Sequence, residues 1–252
     1  MPTFKRDDVS IYYEEYGSGY PILLFAPGGM RSSIEFWAKS PFDPTKELAA
    51  NFRVIAMDQR NAGKSSAPIS AADGWDTYTG DHIALLDHLG IKQCHLMGGC
   101  IGGSYSLGMI KAAPQRVSAA VLQNPIGLSP RNRELFFAMF DGWAQALKAG
   151  RPKLDDAALR QFRDGMYGGE FVFNVSREFV RSCKTPMLIL CGNDDYHPKE
   201  TSKEIATLAP NAELVEQQAG GELECGVRPI VGARQITECD CGDSKRSIQR
   251  VF

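Results

Sequence analysis

The sequence predicts an α/β fold, built on a mostly parallel sheet with helices on both faces. Four short, continuous apolar runs carry this prediction: Phe52–Met57, Cys94–Met97, Val117–Leu122 and Met187–Cys191. Each run has the length of a strand and is bounded by turn residues, and helix-like stretches lie between the runs. Strands that are buried on both faces require such runs, and parallel neighbours require a crossover connection.

The first strands are predicted from alternation and turn residues. Val9–Tyr16 alternates apolar and polar residues, and Gly17-Ser18-Gly19 then turns the chain into Pro21–Phe25. This pattern predicts an N-terminal hairpin. The core helices are predicted at Thr79–Leu89, Ile101–Ala112 and Lys199–Leu208, and a final core strand at Glu213–Gln217.

Residues 126–184 interrupt the alternation of strands and helices. Three helix-like segments follow one another there, at Arg131–Leu147, Asp155–Arg163 and Ser176–Cys183. We therefore predict a core formed by residues 1–125 and 185–252, with residues 126–184 inserted as a mostly helical cap. A chain of 252 residues is long enough to bury such a core as one domain.

Charge and cysteine content exclude several classes of partner. The net charge is −2 and the basic residues are scattered, so neither a nucleic acid nor an anionic membrane is an expected partner. The apolar runs are too short to cross a bilayer, and the first residues lack the apolar region of a secretory signal. Seven cysteines without an export signal indicate reduced thiols and a cytoplasmic protein. Cys225, Cys239 and Cys241 do not have zinc-site spacing, so we expect neither a metal nor another cofactor.

The pentapeptide Gly98-Gly99-Cys100-Ile101-Gly102 lies between a predicted strand and a predicted helix. A sharp strand-to-helix turn with small flanking residues holds the central side chain in a strained, exposed position, as a nucleophile requires. Gly98 and Gly102 would leave room for close backbone approach. Cys100 would stand at a helix N-terminus, where unpaired N–H groups favour the thiolate.

Three further stretches accompany this turn in the expected order: Ala26–Met30, Asp58–Ser65 and Leu190–Pro198. With them, the chain resembles the α/β-hydrolase superfamily from its N-terminal strands to about residue 217. The cysteine in the nucleophile elbow is similar to that of the dienelactone-hydrolase group. Pro27 stands where this superfamily usually has histidine, and Asn61 replaces a glycine.

The resemblance implies roles for particular residues. The backbone N–H groups of Gly29 and Ile101 would form an oxyanion hole beside Cys100. Asp195 would be the carboxylate that orients a catalytic histidine, with Asp194 as the next candidate. The stretch from Asp58 to Ser65 is interpreted as a structural turn.

The catalytic histidine has no counterpart at the position that the resemblance implies. The superfamily places it after the last strand, but no histidine occurs in residues 218–252. His82 and His95 are interpreted as structural, since they lie in a predicted helix and strand, and His88 as a surface residue. His197 follows Asp195 by two residues, which predicts that Asp195 could not easily hold it in relay geometry.

The C-terminal stretch 219–252 differs in composition from the rest of the chain. It contains five glycines, Pro229 and three cysteines, without a sustained helical period of apolar residues. A C-terminal helix is therefore doubtful. Three explanations stay open: natural divergence, a change of reading frame near residue 218, or a different cap on a non-catalytic relative.

Two functions follow from these observations. The first is a hydrolase whose Cys100 attacks an ester, thioester, lactone or related carbonyl in a small apolar substrate. The second is a catalytically inactive protein of the same fold that binds an apolar ligand or a partner. Aromatic residues in the insertion would line an apolar pocket or, alternatively, form its own core; they are Phe136, Phe137, Phe140, Trp143, Phe162, Tyr167, Phe171, Phe173 and Phe179.

Overall fold

The computed structural model describes residues 2–40 and 42–216 in full, and the backbone alone at residue 217 and residues 223–226. Most of the stretch 219–252 therefore lies outside the described residues, together with the question of a C-terminal helix.

Nine strands and seven α-helices form within the described part of the chain. The strands are β1 (Thr3–Arg6), β2 (Val9–Tyr16), β3 (Tyr20–Phe25), β4 (Phe52–Met57), β5 (Cys94–Gly99), β6 (Val117–Gln123), β7 (Met187–Leu190), β8 (Ala212–Gln217) and β9 (Leu223–Gly226). The helices are α1 (Pro44–Glu47), α2 (Trp75–His88), α3 (Ile101–Ala112), α4 (Arg133–Gly150), α5 (Asp156–Tyr167), α6 (Arg177–Ser182) and α7 (Lys199–Leu208). Short 3₁₀ helices cover Gly29–Arg31, Ile34–Lys39 and Pro114–Arg116.

The nine strands form one sheet in the order β1-β2-β4-β3-β5-β6-β7-β8-β9. The strands from β4 to β8 in this order pair in parallel, whereas β1, β2 and β9 pair antiparallel to their neighbours. The predicted mostly parallel α/β sheet is thereby confirmed. Because the parallel strands end at the same edge, the loops after β3, β5 and β7 meet there.

The predicted N-terminal hairpin between β2 and β3 is wrong. β2 pairs with β4 instead, and β3 lies on the far side of β4. A Cβ atom on Gly17 would lie 2.0 Å from the Ala49 carbonyl oxygen. The absence of a side chain at Gly17 therefore lets the turn after β2 pass close to the backbone that precedes β4. The actual hairpin joins β1 and β2, and Asp7 in its turn has a φ of 52°.

Continuous apolar runs occur because both faces of the central strands are covered. In β3, Leu23 and Phe25 pack into the hydrophobic cluster on one face, whereas Ile22 and Leu24 pack into the cluster on the other. All four are fully buried. Burial of each such side chain stabilises the fold by roughly 1.5–3 kcal/mol before entropic costs.

The segment between β6 and β7 folds as the helices α4, α5 and α6, close to their predicted positions. Its buried aromatic rings pack on one another: Phe136 stacks on Tyr167 at 5.3 Å between centroids, and Phe140 meets Phe162 at 5.1 Å. These rings belong to the same cluster as Tyr105 of α3. Seven of the nine aromatic residues therefore serve as core, and the assignment of residues 126–184 as a separate cap stays a prediction.

In the described part of the chain, no helix is both long enough and apolar enough to cross a membrane.

Candidate active site

Cys100 occupies a tight turn between β5 and α3. Its backbone has φ 57° and ψ −119°, a conformation that costs a residue with a Cβ atom about 1–3 kcal/mol. A Cβ on Gly98 would lie 2.0 Å from the Gly102 carbonyl oxygen, and one on Gly102 would lie 2.3 Å from that of Phe25. The two flanking glycines are therefore sterically required, as the sequence predicts.

Backbone hydrogen bonds hold this turn against the neighbouring strand. The Cys100 N–H donates to the Gln123 carbonyl at 2.9 Å, and the Gly103 N–H donates to the Cys100 carbonyl at 3.0 Å. Ile101 is the first residue of α3, so its N–H belongs to the group that has no partner within the helix. The Cys100 thiol is a free, half-buried group at the positive end of a twelve-residue helix.

The loop between β7 and α7 carries an aspartate and a histidine in direct contact. Nδ1 of His197 lies 2.8 Å from both carboxylate oxygens of Asp194. Because a carboxylate only accepts, Nδ1 carries the proton and donates it to Asp194. Nε2 is therefore the nitrogen that gains a proton when the ring becomes charged and lacks one when the ring is neutral.

His197 is brought against Cys100. Burial acts to lower the pKa of His197, but a hydrogen-bonding interaction and charge attraction from the Cys100 thiol, together with Asp194, raise that pKa to about 9. Nε2 is buried and has no hydrogen-bond partner of good geometry among the described residues. The ring and the thiol line the same cavity without a well-aligned hydrogen bond between them, an arrangement that can tighten when a ligand binds.

Sequence reasoning does not assign His197 to the site, and the reason lies in the identity of the aspartate. Asp195, the predicted acid, has an exposed side chain, and its contact within the described residues is made by its backbone carbonyl, which accepts from Asn132 Nδ2 at 2.8 Å. Asp194, the next candidate, holds the histidine instead, because its carboxylate also accepts the N–H groups of Tyr196 and His197 at 2.9 and 3.0 Å. The aspartate-to-histidine spacing of three residues is the signal that could have found this pair.

Neighbouring elements fix the position of this loop. A Cβ on Gly192 would lie 2.4 Å from the His197 carbonyl oxygen and 2.6 Å from the His197 Cβ. The Asn132 amide is buried and bridges the carbonyls of Gly127 and Asp195. The loop is thereby tied to the segment that follows β6.

Gly29 lies in the loop after β3, the strand that pairs with β5. The loop after β3 and the turn at Cys100 therefore leave the sheet side by side. Gly29 has a φ of 57°, and a Cβ there would lie 2.6 Å from the sulfur of Met139 in α4. A side chain at this position would be both strained and obstructed, so the loop requires glycine here.

A cavity of about 280 Å³ opens beside Cys100. Its walls come from the loops after β3, β5, β6 and β7; the lining residues are Pro27, Phe36, Lys39, Ser40, Gly99, Cys100, Gln123, Asn124 and His197. None of these belongs to residues 126–184, so this cavity is not the aromatic-lined pocket that the sequence predicts. Its lining combines an aromatic ring with several polar groups.

The other three histidines are engaged away from Cys100. His82 is fully buried and its Nε2 lies 2.7 Å from Gln59 Oε1, and burial lowers its pKa to about 3. His95 Nδ1 lies 2.9 Å from Ser118 Oγ, and burial lowers its pKa to about 4. His88 is exposed at the end of α2. These positions agree with the roles predicted for them.

The loop from Asp58 to Ser65 is structural. The buried Asp58 carboxylate accepts the N–H groups of Ile34 and Lys64 at 2.8 and 2.7 Å. A Cβ on Gly63 would lie 2.2 Å from that carboxylate, and Asn61 has a φ of 58°. No group of three metal-binding side chains occurs among the residues that the structure describes.

The chain is similar to known proteins of the α/β-hydrolase fold. The family model for the α/β hydrolase fold matches residues 21–165. A protein of Pseudomonas syringae named as the carbamate hydrolase RutD is 28% identical over 245 residues, which cover 86% of this chain and 92% of the relative. Its namesake from Azorhizobium caulinodans is 33% identical over 124 residues, 49% of this chain and 44% of that relative's length.

A solved structure, the enol-lactonase from Burkholderia xenovorans, superposes with a TM-score of 0.64. The two sequences are 21% identical, and the match covers 85% of this chain and 90% of the other. At that identity the likeness concerns the fold.

Proposed function

The chain belongs to the α/β-hydrolase fold family, and we propose that it is a hydrolase that uses Cys100 as its nucleophile. Its substrate class is an ester, thioester, lactone or related activated carbonyl compound. The observation that carries this proposal is the strained turn that presents the Cys100 thiol at the N-terminus of α3, beside a cavity. Two relatives are named carbamate hydrolases, and a carbamate also carries a carbonyl carbon that a nucleophile can attack.

The first chemical step is acylation of Cys100. The thiol proton moves to the imidazole of His197, and the sulfur attacks the carbonyl carbon. In this proposal the oxyanion accepts hydrogen bonds from the N–H groups of Gly29 and Ile101, the two groups that the resemblance to the family assigns to this role. Collapse of the intermediate breaks the bond between the carbonyl carbon and the leaving atom, oxygen or sulfur, which takes the proton from the His197 imidazolium and departs.

The helix geometry favours this step before any substrate binds. The unpaired N–H groups at the start of α3 and the helix dipole stabilise negative charge on the sulfur. Thiolate, unlike the neutral hydroxyl of serine, is already a strong nucleophile. Cysteine in this elbow is therefore suited to activated carbonyls.

Intact-mass spectrometry after brief exposure to p-nitrophenyl acetate tests the proposal. We expect one acetyl group per chain in the wild type and none in Cys100→Ala. Cys191→Ala is the matched control, because Cys191 is the other free, half-buried cysteine that the structure describes. It should acylate like the wild type. Equal labelling of wild type and Cys100→Ala would contradict the proposal and favour the second sequence-based function, a binding protein without catalysis.

A further inference from the structure

Acylation alone does not make a hydrolase, because the thioester formed on Cys100 must still react with water. That step needs a base to remove a proton from the attacking water. The superfamily's histidine position after β8 has no histidine in this chain, since residues 218–252 contain none. The base must therefore come from elsewhere in the fold.

We propose that His197, on the loop between β7 and α7, is the general base of the site and that Asp194 is the residue that positions it. This inference rests on the proposed function. Among the four histidines, only His197 shares the cavity with Cys100. His82 and His95 are bonded to Gln59 and Ser118, and His88 lies on the surface.

The orientation of the ring supports the assignment. Asp194 binds Nδ1, which directs the other nitrogen, Nε2, away from the carboxylate. Nε2 is buried and has no well-aligned partner in the described part of the chain. A buried, unpartnered nitrogen beside a nucleophile is a free acceptor for the proton of a thiol or of a water.

The loop is rigid enough to hold this arrangement. Asp194 and His197 exchange backbone hydrogen bonds, at 3.4 Å from the Asp194 N–H and 3.1 Å from the His197 N–H. The Asp194 carboxylate stabilises the same turn by accepting the N–H groups of Tyr196 and His197. Close packing on Gly192 and the Asn132 bridge fix the turn from outside. Base and positioning acid are therefore held within four consecutive residues.

Charged or titratable groups lie near the imidazole. Within the described part of the chain, Cys100 at the start of α3 and Asp194 on the same loop act on the ring directly, and Lys39 lines the same cavity from the 3₁₀ helix Ile34–Lys39. Burial opposes protonation of His197, but the interactions with the Cys100 thiol and with Asp194 raise its pKa and favour the protonated ring in the free enzyme. Acylation removes the interaction with the thiol, so the imidazole then loses its proton more readily and becomes available as a base.

Hydrolysis of the thioester conserves atoms and charge. Nε2 of His197 takes a proton from water, and the water oxygen bonds to the thioester carbonyl carbon. The tetrahedral intermediate collapses, the carbon–sulfur bond breaks with its electron pair on sulfur, and the carboxylic acid leaves. The imidazolium and the Cys100 thiolate remain, which is the pair present at the start.

Single-turnover mass spectrometry separates formation of the acetyl-enzyme from its decay. We expect the adduct to decay in the wild type and to persist in His197→Gln, with decay slowed by roughly 10²–10⁴-fold. Added imidazole should restore decay in His197→Gly, a rescue that a purely structural role would not give. If no adduct forms at Cys100 even in the wild type, the proposed function fails. If the adduct decays equally fast with and without His197, only the present inference fails. An adduct that persists in the wild type would contradict hydrolysis itself, and with it the proposed function.

The paired aspartates provide the matched control for positioning. Asp194→Asn keeps the size of the side chain but weakens the hydrogen bond to Nδ1 of His197. Decay of the acetyl-enzyme should therefore slow, and the midpoint of its pH dependence should fall. Asp195→Asn should decay like the wild type, because that side chain is exposed and does not hold the ring. The reverse pattern, with Asp195→Asn impaired and Asp194→Asn normal, would overturn the assignment of Asp194.

Discussion

Gly192 and His197 are packed so closely that a side chain at residue 192 would displace the histidine from the cavity that it shares with Cys100. A Cβ there would lie 2.4 Å from the His197 carbonyl oxygen. The backbone of His197 cannot move aside freely, since it is hydrogen-bonded to the backbone of Asp194 and is followed by Pro198, which leads directly into α7.

Gly192→Ala is therefore expected to displace the histidine and to slow deacylation. A misplacement of about 1 Å can cost roughly 100-fold in rate. Gly142→Ala is the control, because Gly142 lies in α4 with open space where a Cβ would stand, and its replacement should leave the kinetics unchanged. Unaltered deacylation in Gly192→Ala, measured by stopped-flow absorbance, would show that the loop tolerates the displacement.

The stability of the protein should depend on the protonation of His197. Its pKa is raised to about 9 in the folded protein, against about 6.5 in an unfolded chain. The protonated ring therefore stabilises the fold fully below pH ~6.5, and this contribution is lost as the pH rises through about 9.

We expect the difference in melting temperature between wild type and His197→Gln to shrink over that range, as followed by circular dichroism. His88→Gln, at an exposed position on α2, is the comparison and should show no such trend. A difference that stays constant from pH 6 to pH 10 would contradict the expectation.

The strained backbone at Cys100 predicts an unusual order of stabilities. Cys100→Ala retains a Cβ atom at φ 57° and ψ −119°, whereas Cys100→Gly relieves the strain. After the entropic cost of glycine, Cys100→Gly should be more stable than Cys100→Ala by about 1 kcal/mol. Urea unfolding of both variants measures this difference, and a less stable glycine variant would mean that the turn is not strained.

The glycine that lies two residues before the nucleophile should be intolerant of any side chain. In Gly98→Ala the new Cβ would meet the Gly102 carbonyl oxygen at 2.0 Å, and neither backbone can yield without moving β5 or α3. We expect a loss of about 3 kcal/mol or more in the free energy of unfolding, measured by urea denaturation. Gly80→Ala in α2 meets nothing within 4 Å and should be neutral or slightly stabilising.

A buried cluster of ion pairs away from the site should make the protein sensitive to the loss of one charge. Arg60 binds Asp81 at 2.8 and 3.0 Å and approaches Asp73 at 3.4 Å, and all three side chains are buried. Arg60→Met would leave the Asp81 carboxylate with the half-exposed Arg6 as its remaining cation. We expect destabilisation by about 3–5 kcal/mol. In the double variant Arg60→Met/Asp81→Asn, part of that loss should be recovered; purely additive effects would argue against coupling.

Much of the fold was predictable because burial on both faces leaves a direct mark in the sequence. The apolar run Phe52–Met57 coincides with β4, and the segment that follows Cys100 coincides with α3. The pairing of β2 was not predictable from its turn, because Gly17 and Gly19 show only that the chain reverses. Which strand lies beside β2 depends on residues that arrive some forty positions later.

The candidate site was predictable to the extent that it depends on local backbone geometry. The turn at Cys100 requires Gly98 and Gly102, and both carry the expected steric role. The position of His197 depends instead on how the loop folds over Gly192, which residue spacing alone does not reveal. His197 follows Asp195 by two residues, a spacing that we interpret as too short for that carboxylate to hold the ring. Asp194 lies one residue further away and binds Nδ1 of His197 across a single turn.

The two-sided burial of β3 also has a kinetic consequence. Ile22 and Leu24 face one way and Leu23 and Phe25 the other, so a slip of one residue against β4 would exchange one apolar surface for another. Hydrophobicity alone then discriminates weakly between the native alignment and its misaligned neighbours. Side-chain size must provide the discrimination, and collapsed intermediates with shifted strands are expected to delay refolding of this chain.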